Sequence, residues 1–490
     1  MRSSIGSLAF AMCLGAGGAA AAQSDPDSPS EREDPASGSE ADTPTPDRPP
    51  SRDARAPSTT SATKPARRPP ARPLPAESVD DMEGEDPNLG DSLGIQPEVF
   101  TARLYGFIDA HYEQVARTPV GVDEDGETIM SSNPSEIDVT NFNVMLQGTV
   151  YSRYRYFVNL ASPGAGSPAE DASLAVRNAW VELPLFREYF NFRIGKTYRR
   201  FGLYNELLDA IPTFIGIEPP EMFDDDHLLL TRTTNIMLHG TFTTFDSSFS
   251  YALSTGTDER EGQEVPIGAD LRYDFRNNFR LGTSYYTTNG DAIPSKQLGE
   301  GAPLGGVATW MDRDEFSVTG GYGQVTAGGF ILQTEFWIAR HKGERNPDRV
   351  AALMNSDPPL NPRQRERFGL NDPENPMPVV PADYNVKTGY VRTGYTVPVK
   401  TWTLTPYGQF DYYDNPEIID DPANGGDNEA GLTDDGKFYK TTLGLVIRPV
   451  SFIAIKLDGS THTQEFNGET LTYPEFRSSF SFYWELGGMR

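Results

Sequence analysis

The chain has 490 residues, a formal net charge of −28 at pH 7 and a single cysteine. So acidic a composition argues against nucleic-acid binding, because phosphates require a basic face. Mean hydropathy is −0.50, and no run of about 18 apolar residues follows the N-terminal segment, which excludes a helical membrane protein. A membrane β-barrel remains possible, because only alternate strand residues meet lipid.

The N-terminal part divides into two segments before the first predicted strand. Residues 1–22 combine Arg2, an apolar stretch over 5–14 and a small-residue cleavage site at Ala20–Ala22, which is the pattern of a secretory signal peptide. Cleavage there removes Cys13. Residues 23–98 are rich in Pro, Ala and acidic residues and poor in aromatics, which predicts a disordered periplasmic extension.

From residue 99 onward the hydrophobic pattern has a period of two, which is typical of strands. We predict a barrel over residues 99–490, all-β and antiparallel. Its sixteen strands are predicted at 102–115, 139–150, 152–161, 173–184, 189–198, 232–242, 246–255, 266–275, 278–287, 314–323, 328–340, 384–396, 401–413, 438–447, 451–461 and 475–486. Most have about ten residues, the length that a tilted strand needs to cross a bilayer.

The connections between these strands alternate between short turns and long polar loops. The long loops are predicted at 116–138, 162–172, 199–231, 256–265, 288–313, 341–383, 414–437 and 462–474. A transmembrane barrel has this asymmetry, with tight periplasmic turns on one rim and long extracellular loops on the other. A soluble β-sandwich has no reason to sort its loops in this way.

The two faces of the strands differ in polarity as a water-filled barrel requires. In the last strand Phe476, Phe480 and Phe482 share one face, and Arg477 and Ser479 share the other. A charge at mid-bilayer costs about 2–4 kcal/mol, so the charged face must point to the lumen. A barrel of sixteen strands is wide enough to hold water.

The third long loop, 199–231, carries both bases and acids and is neither a regular helix nor a regular strand. Long structured loops of this kind are usually functional. We therefore predict that it folds into the lumen and narrows a pore.

Three segments resemble bacterial outer-membrane porins, and more narrowly the porin O and P (phosphate-selective) family. They are LYGFIDAHYE (104–113), VRNAWVEL (176–183) and FRIGKTYRRFGLYNELLD (192–209). The resemblance extends over residues 100–490 and implies passive diffusion of small hydrophilic solutes or ions, an inward-folded third loop and a homotrimer. Such barrels usually finish on an aromatic residue, whereas here Trp484 is followed by ELGGMR.

A pore selects by its width and by the fixed charge at its narrowest point. The predicted pore-lining and constriction residues are Arg153, Arg155, Arg193, Arg199, Arg200, Glu206, Asp209, Arg272, Arg280, Arg392 and Lys440. In one interpretation the bases form a wall that favours anions, opposed by loop acids such as Glu218 and Glu221. In the other, lumen acids such as Asp109, Asp270, Asp274, Asp458 and Glu485 neutralise the bases.

Enzymatic and metal chemistry have little support in the sequence. The five histidines show no zinc spacing, and there is no G-x-S-x-G motif. A solvated acidic loop is the preferred interpretation of Asp224–His227, and neither a metal nor a cofactor is expected. The alternatives are an outer-membrane barrel enzyme, for which only Ser248 and His239 stand out, and a soluble carbohydrate-binding β-sandwich. The expected partners are outer-membrane lipid, lipopolysaccharide and small solutes.

Overall fold

The protein, described here from a computed structural model, is dominated by β-strands. The structure describes residues 100–115, 117–122, 127–131, 135–163, 175–205, 215–220, 233–256, 265–276, 278–288, 310–356, 359–372, 376–417 and 433–486. The strands are β1 (Phe100–Val115), β2 (Thr118–Val122), β3 (Thr128–Ser131), β4 (Glu136–Val150), β5 (Tyr154–Pro163), β6 (Ala175–Phe186), β7 (Phe190–Thr197), β8 (Thr233–Thr244), β9 (Ser247–Gly256), β10 (Ile267–Phe275), β11 (Phe279–Thr288), β12 (Met311–Ala327), β13 (Phe330–Arg345), β14 (Pro381–Tyr395), β15 (Val397–Val399), β16 (Trp402–Asp414), β17 (Lys437–Val450), β18 (Ile453–Phe466) and β19 (Glu469–Leu486).

Seventeen of these strands form one closed antiparallel sheet. β1 closes the barrel by pairing with β19 on one side and with β4 on the other. β14 and β15 both pair with β16 and are separated only by Thr396, so they are two parts of one barrel strand. The barrel therefore has sixteen strands, and the predicted fold class is confirmed. The predicted signal peptide and periplasmic extension lie outside the described residues.

The outer surface of the barrel is apolar. Large apolar side chains such as Ile108, Leu271, Phe336 and Leu443 are exposed on it. Exposed aromatic residues lie beside the short turns on one rim: Tyr151, Phe186, Phe190, Phe245, Phe275, Phe279, Phe330, Tyr395, Trp402 and Phe452. Such a ring is the interfacial girdle of a membrane barrel. No helix in the described ranges is long and apolar enough to span a membrane.

The short turns lie where the sequence predicts them, with shifts of a few residues. The strand predicted to begin at residue 152 begins at Tyr154, so Arg153 belongs to the preceding turn. The prediction of an eighth long loop at 462–474 is wrong. There, β18 and β19 continue to a two-residue turn of Asn467 and Gly468, whose φ angles are 51° and 77°. Positive φ at both positions is the requirement of a type I′ hairpin turn, which Asn-Gly satisfies.

The long connection between β13 and β14 contains two short helices, α1 (Pro347–Ala352) and α2 (Pro362–Phe368), and a 3₁₀ turn over Leu353–Asn355. Asn361 begins α2 with a capping box: its side chain accepts from the Gln364 backbone, and the Gln364 side chain accepts from the Asn361 backbone. The sequence analysis predicted a long polar loop at 341–383 and did not predict these helices. We call residues 346–372 the cap.

The cap is attached to the barrel by an apolar cluster, and its Phe368 packs on Trp310 and Arg345, which share one buried carboxylate. Val350, Leu353 and Phe368 belong to the same buried cluster as residues of β12 to β14. Glu417 accepts hydrogen bonds from Arg345 at 2.6 and 2.7 Å and from the Trp310 indole at 2.9 Å. Burial lowers the pKa of the Arg367 guanidinium in the cap, although the carboxylate of Glu417 opposes this shift.

Candidate functional site

The chain turns into the barrel directly after β7. Phe201 is 1 % exposed, and its ring centroid lies 4.3 Å from that of Trp337 on β13. Tyr204 packs edge-to-face on Tyr390 of β14, with ring centroids 5.8 Å apart. These partners alternate with outward-facing residues such as Phe336, so they point to the interior. Segment 198–205 therefore packs inside the barrel, on the β11–β14 wall.

Polar contacts around Gly202 fix this segment in place. Its backbone N–H donates to Ser284 Oγ at 3.1 Å, and its carbonyl accepts from Arg272 Nη2 at 3.3 Å. Its φ angle is +65°, and a β-carbon at this position would fall on the carboxylate of Glu335. Glycine is therefore required here both by the backbone conformation and by the close approach of β13.

A second part of the same loop, residues 215–220, contacts the opposite stretch of wall. Lys456 Nζ donates to the carbonyl of Gly216 at 2.8 Å, and Arg392 Nη2 donates to the carbonyl of Glu218 at 3.2 Å. The Glu218 carboxylate pairs with Lys440 at 3.1 Å and also with Arg477. The loop thus contacts β10–β14 through residues 198–205 and β14–β19 through residues 215–220, as expected for a loop that folds into the lumen.

A small polar cavity lies between residues 216–219 and the β16–β19 wall. Its lining includes Tyr407, Gln409, Lys440, Asp458 and Arg477. Four basic residues and three acids meet in and around it, and we call this group the basic cluster: Arg392, Lys440, Lys456, Arg477, Glu218, Asp458 and Glu475.

Lys440 and Arg477 of this cluster each contact a carboxylate, but Arg392 does not. Its donors reach the side-chain oxygen of Gln409, the hydroxyl of Tyr204 and the carbonyl of Glu218, which are all neutral. Its side chain is 1 % exposed, and no salt bridge to it is found in the described part of the chain. Its positive charge is therefore not neutralised by direct contact.

Several of the other predicted bases are neutralised by acids. Arg193 binds Glu182 at 2.7 Å and stacks on Trp180, with its guanidinium carbon 4.1 Å from the ring centroid. Arg155 lies 3.8 Å from the same carboxylate, and Arg280 pairs with Asp274 at 2.6 Å. For Arg155, Arg193 and Arg280, these contacts favour the interpretation in which lumen acids neutralise the bases.

The remaining predicted site residues are scattered. Arg153 is exposed in a turn at the rim and donates to the carbonyl of Pro184 at 3.3 Å. Arg199 and Arg200 are buried at the start of the inward segment, and Arg272 donates to the Tyr322 hydroxyl at 3.2 Å. Glu206 and Asp209, like Glu221 and Asp224–His227, lie outside the described residues. The described bases therefore lie at several separate places and do not form one continuous wall.

The sequence analysis missed the apolar half of the interior. Residues of the inward segment and of the cap join inward-facing residues of β11 to β17 in one buried cluster, which includes Phe201, Leu203, Tyr204, Tyr286, Phe316, Val318, Trp337, Val386 and Phe438. Several inward positions of β12–β14, such as Phe316, Val318, Trp337 and Val386, are apolar, and this signal was available in the sequence. A water-filled path must therefore follow the polar walls.

The described residues contain no group of three or more His, Cys, Asp or Glu that could hold a metal. For the enzyme alternative, His239 is buried with its Nε2 3.0 Å from Glu182, while Ser248 faces Thr243 across the β8–β9 pair. The two residues named for catalysis are therefore not cross-strand partners.

The fold and the loop together define the class: a closed, sixteen-stranded antiparallel barrel with an apolar outer face and a loop folded inward. No protein-family profile matches the chain, and no curated protein matches it.

Among solved structures, the chain is similar to the outer membrane channel DcaP of Acinetobacter baumannii, with 11 % identity, a TM-score of 0.45 and coverage of 79 % of this chain and 98 % of that one. It is also similar to an anion-selective porin from Comamonas acidovorans, with 12 % identity, a TM-score of 0.45 and coverage of 79 % and 100 %. A third similar structure is OmpT of Vibrio cholerae in its trimer form, with 12 % identity, a TM-score of 0.44 and coverage of 79 % of this chain and 100 % of that one. The barrel itself rests on the strand pairings above.

Proposed function

We propose that this protein is an outer-membrane porin that lets small hydrophilic solutes and ions diffuse through the barrel. The observation that carries the proposal is the inward loop, which contacts both the β10–β14 and the β14–β19 walls. A barrel of this size holds water only if its interior is not packed, and the loop restricts that interior to a narrow polar path. The segment 199–231 is then the constriction.

We further propose a mild anion preference, carried by Arg392. Many other described bases are paired with acids, so their fields largely cancel at a distance. A unit charge about 8 Å from an ion changes the free energy of that ion by about 2 kcal/mol at an effective dielectric constant of about 20, and salt screening reduces this to about 0.7 kcal/mol. Because the change is favourable for chloride and unfavourable for potassium, the two ions differ by about 1.4 kcal/mol, which corresponds to roughly a tenfold preference for chloride. The phosphate selectivity of the porin O and P family is not assigned to particular residues.

The test is the reversal potential of the purified protein in a planar bilayer under a KCl gradient. Wild-type protein should give stepwise conductance and an anion-signed potential. Arg392→Gln should lower the chloride-to-potassium permeability ratio roughly tenfold, whereas the matched control Arg276→Gln, which removes an exposed rim arginine paired with Asp246, should leave it unchanged.

Two outcomes contradict these proposals separately. If Arg392→Gln leaves the permeability ratio unchanged, Arg392 is not the source of the anion preference. If the wild-type potential is cation-signed, acids such as Glu218 determine the selectivity instead. Absence of any conductance overturns the channel itself and favours the barrel enzyme.

We also propose a homotrimer in the outer membrane, with residues 23–98 in the periplasm and lipopolysaccharide around the long-loop rim. The apolar outer surface and the aromatic ring support the membrane location. Chemical cross-linking in detergent, followed by electrophoresis without heating, should give a species of three chains. A monomer that conducts would contradict the trimer and leave the channel intact.

A further inference from the structure

Two long strands, β13 and β14, carry exposed basic side chains on the outer face of the barrel. Arg340 of β13 lies between Ala339 and His341, which are 0 % and 3 % exposed. Lys387 of β14 follows Val386, which is 0 % exposed. Successive strand residues point to opposite faces, and both basic side chains are exposed, so both point away from the lumen.

The two bases lie at the height where the hydrocarbon of the bilayer ends. β13 begins on the aromatic rim at Phe330, ten residues before Arg340. A rise of about 3.3 Å per residue and a tilt of about 40° place Arg340 about 25 Å above that rim, which is the height of the apolar band of such barrels. Lys387 is eight residues from Tyr395 on the same rim, about 20 Å above it, and its long side chain can reach the polar boundary.

The cross-strand row through Arg340 contains hydrogen-bond donors and no acid. Arg340 lies opposite Ser317 of β12 and opposite Asn385 of β14, whose side chain is exposed. No ion pair to Arg340 is found among the residues that the structure describes. Lys387 lies one outward position below Asn385 and is 3.7 Å from the carboxylate of Asp414. The donors of Arg340 therefore remain available to an anion at the barrel surface.

The acids nearest to this row lie further from the hydrocarbon. Glu315 of β12 and Asp383 of β14 both lie opposite Lys342, which is one outward position above Arg340. They compensate the charge of Lys342, so the excess positive charge is at the level of Arg340. By contrast, the outward residues at the same end of β9 to β11 are uncharged: Thr255, Ile267 and Thr287.

Below the two bases, the same strands present an apolar surface. Phe336 of β13 and Val391 of β14 are each 47 % exposed, and Ile338 lies between Phe336 and Arg340 on the same face. A ligand that fits both parts has an anionic group above apolar chains.

A phosphate group attached to acyl chains has this chemistry. Arginine binds phosphate through two parallel hydrogen bonds, and lysine attracts it as a point charge. The acyl chains gain contact with the apolar surface below, whereas a free phosphate ion gains nothing from that surface and loses hydration. The arrangement therefore favours a phosphate carried by a lipid over a phosphate in solution.

We propose that Arg340, Asn385 and Lys387 form a binding site for a phosphate group of the lipid A part of lipopolysaccharide. The acyl chains of the same lipid pack on Phe336 and Val391. This inference rests on the proposed outer-membrane location, in which the long-loop end of the barrel lies in the outer leaflet. It assigns one lipid to one part of the rim, the outer face of β13 and β14.

The experiment is a titration of the folded protein in detergent with bisphosphorylated lipid A, in which native mass spectrometry counts the lipids that stay bound. Arg340→Gln with Lys387→Gln should raise the half-saturating concentration of the tightest-bound lipid at least roughly tenfold, because each base near an anionic lipid contributes about fivefold. The matched control, Arg153→Gln with Arg276→Gln, removes two exposed bases from turns on the aromatic rim and should leave that concentration unchanged. Lipid A without phosphates should bind wild type and the double variant equally, and inorganic phosphate should not be retained.

The outcomes separate this site from the channel function, because binding is measured without conductance. Phosphate-dependent binding of lipid A by a protein that does not conduct would remove the channel and leave the site. If the double variant binds lipid A as the wild type does, or if phosphate-free lipid A binds equally tightly, the site is wrong. If phosphatidylglycerol binds as tightly as lipid A, the assignment to lipid A is wrong.

Folding of each variant is checked by its electrophoretic mobility before and after heating. If the double variant does not fold, Arg340→Gln alone decides, and an affinity equal to that of the wild type overturns the site.

Discussion

The anchoring of the inward loop gives the sharpest single test of the site. Phe201 is almost fully buried against Trp337, which lies 136 residues away in sequence. This apolar contact holds segment 198–205 to the wall of the barrel. Phe201→Ala removes this contact. Replacing a buried phenylalanine by alanine costs about 3–5 kcal/mol. Each 1.4 kcal/mol or so changes an equilibrium tenfold, so undocking of the loop should become more frequent by roughly a hundredfold or more.

The barrel should not share this loss, because its strands are held by pairings that do not involve the loop. We therefore expect larger or noisier single-channel conductance in Phe201→Ala, with an unfolding temperature close to that of the wild type. Phe336→Ala is the matched control, because Phe336 precedes Trp337 but is 47 % exposed on the outer face. If Phe201→Ala folds and conducts as wild type does, the inward segment is not the constriction.

Three further changes test other parts of the structure. Gly202→Ala should release the same loop as Phe201→Ala, because its φ of +65° and the Glu335 carboxylate exclude a β-carbon; unchanged conductance would refute this. Glu417→Gln should destabilise the cap by about 3–5 kcal/mol, because the buried Arg345 loses its carboxylate, and limited proteolysis should then cut within residues 346–372; resistance equal to wild type would contradict it. Gly468→Val should lower the free energy of unfolding by about 1–2 kcal/mol, because a β-branched residue is strained at a φ of 77°, and this is measured by heat-induced loss of the folded electrophoretic form; an unaltered transition would exclude the strain.

The barrel was predictable because each strand carries its own signal. Alternation of Phe480 and Phe482 with Ser479 and Ser481 is local, and the lipid side can be read directly from it. The same alternation marks the lumen side: the exposed Ile194 and Tyr439 stand next to Arg193 and Lys440, which contact interior carboxylates. The Asn467–Gly468 turn carried an equally clear signal, although a long loop was predicted over 462–474.

The packing inside the barrel was not predictable in the same way. Phe201 and Trp337 are far apart along the chain, and nothing in either local pattern indicates the other. The sequence distinguishes an inward from an outward position, but it does not say which inward positions a loop will cover. The neutral hydrogen-bond partners of Arg392 include the loop carbonyl of Glu218, so they are visible only in the fold.

The pairing of β1 with β19 has a consequence for biogenesis. Glu113 on β1 and Arg477 on β19 form an ion pair across a sequence separation of 364 residues. During synthesis β1 is made first, and its partner edge arrives only with the last strand. Until residues 469–486 are present, the sheet has two open edges that can template pairing with other chains. The final strand therefore completes the sheet, and a chain truncated before it should pair with other chains rather than close its own barrel.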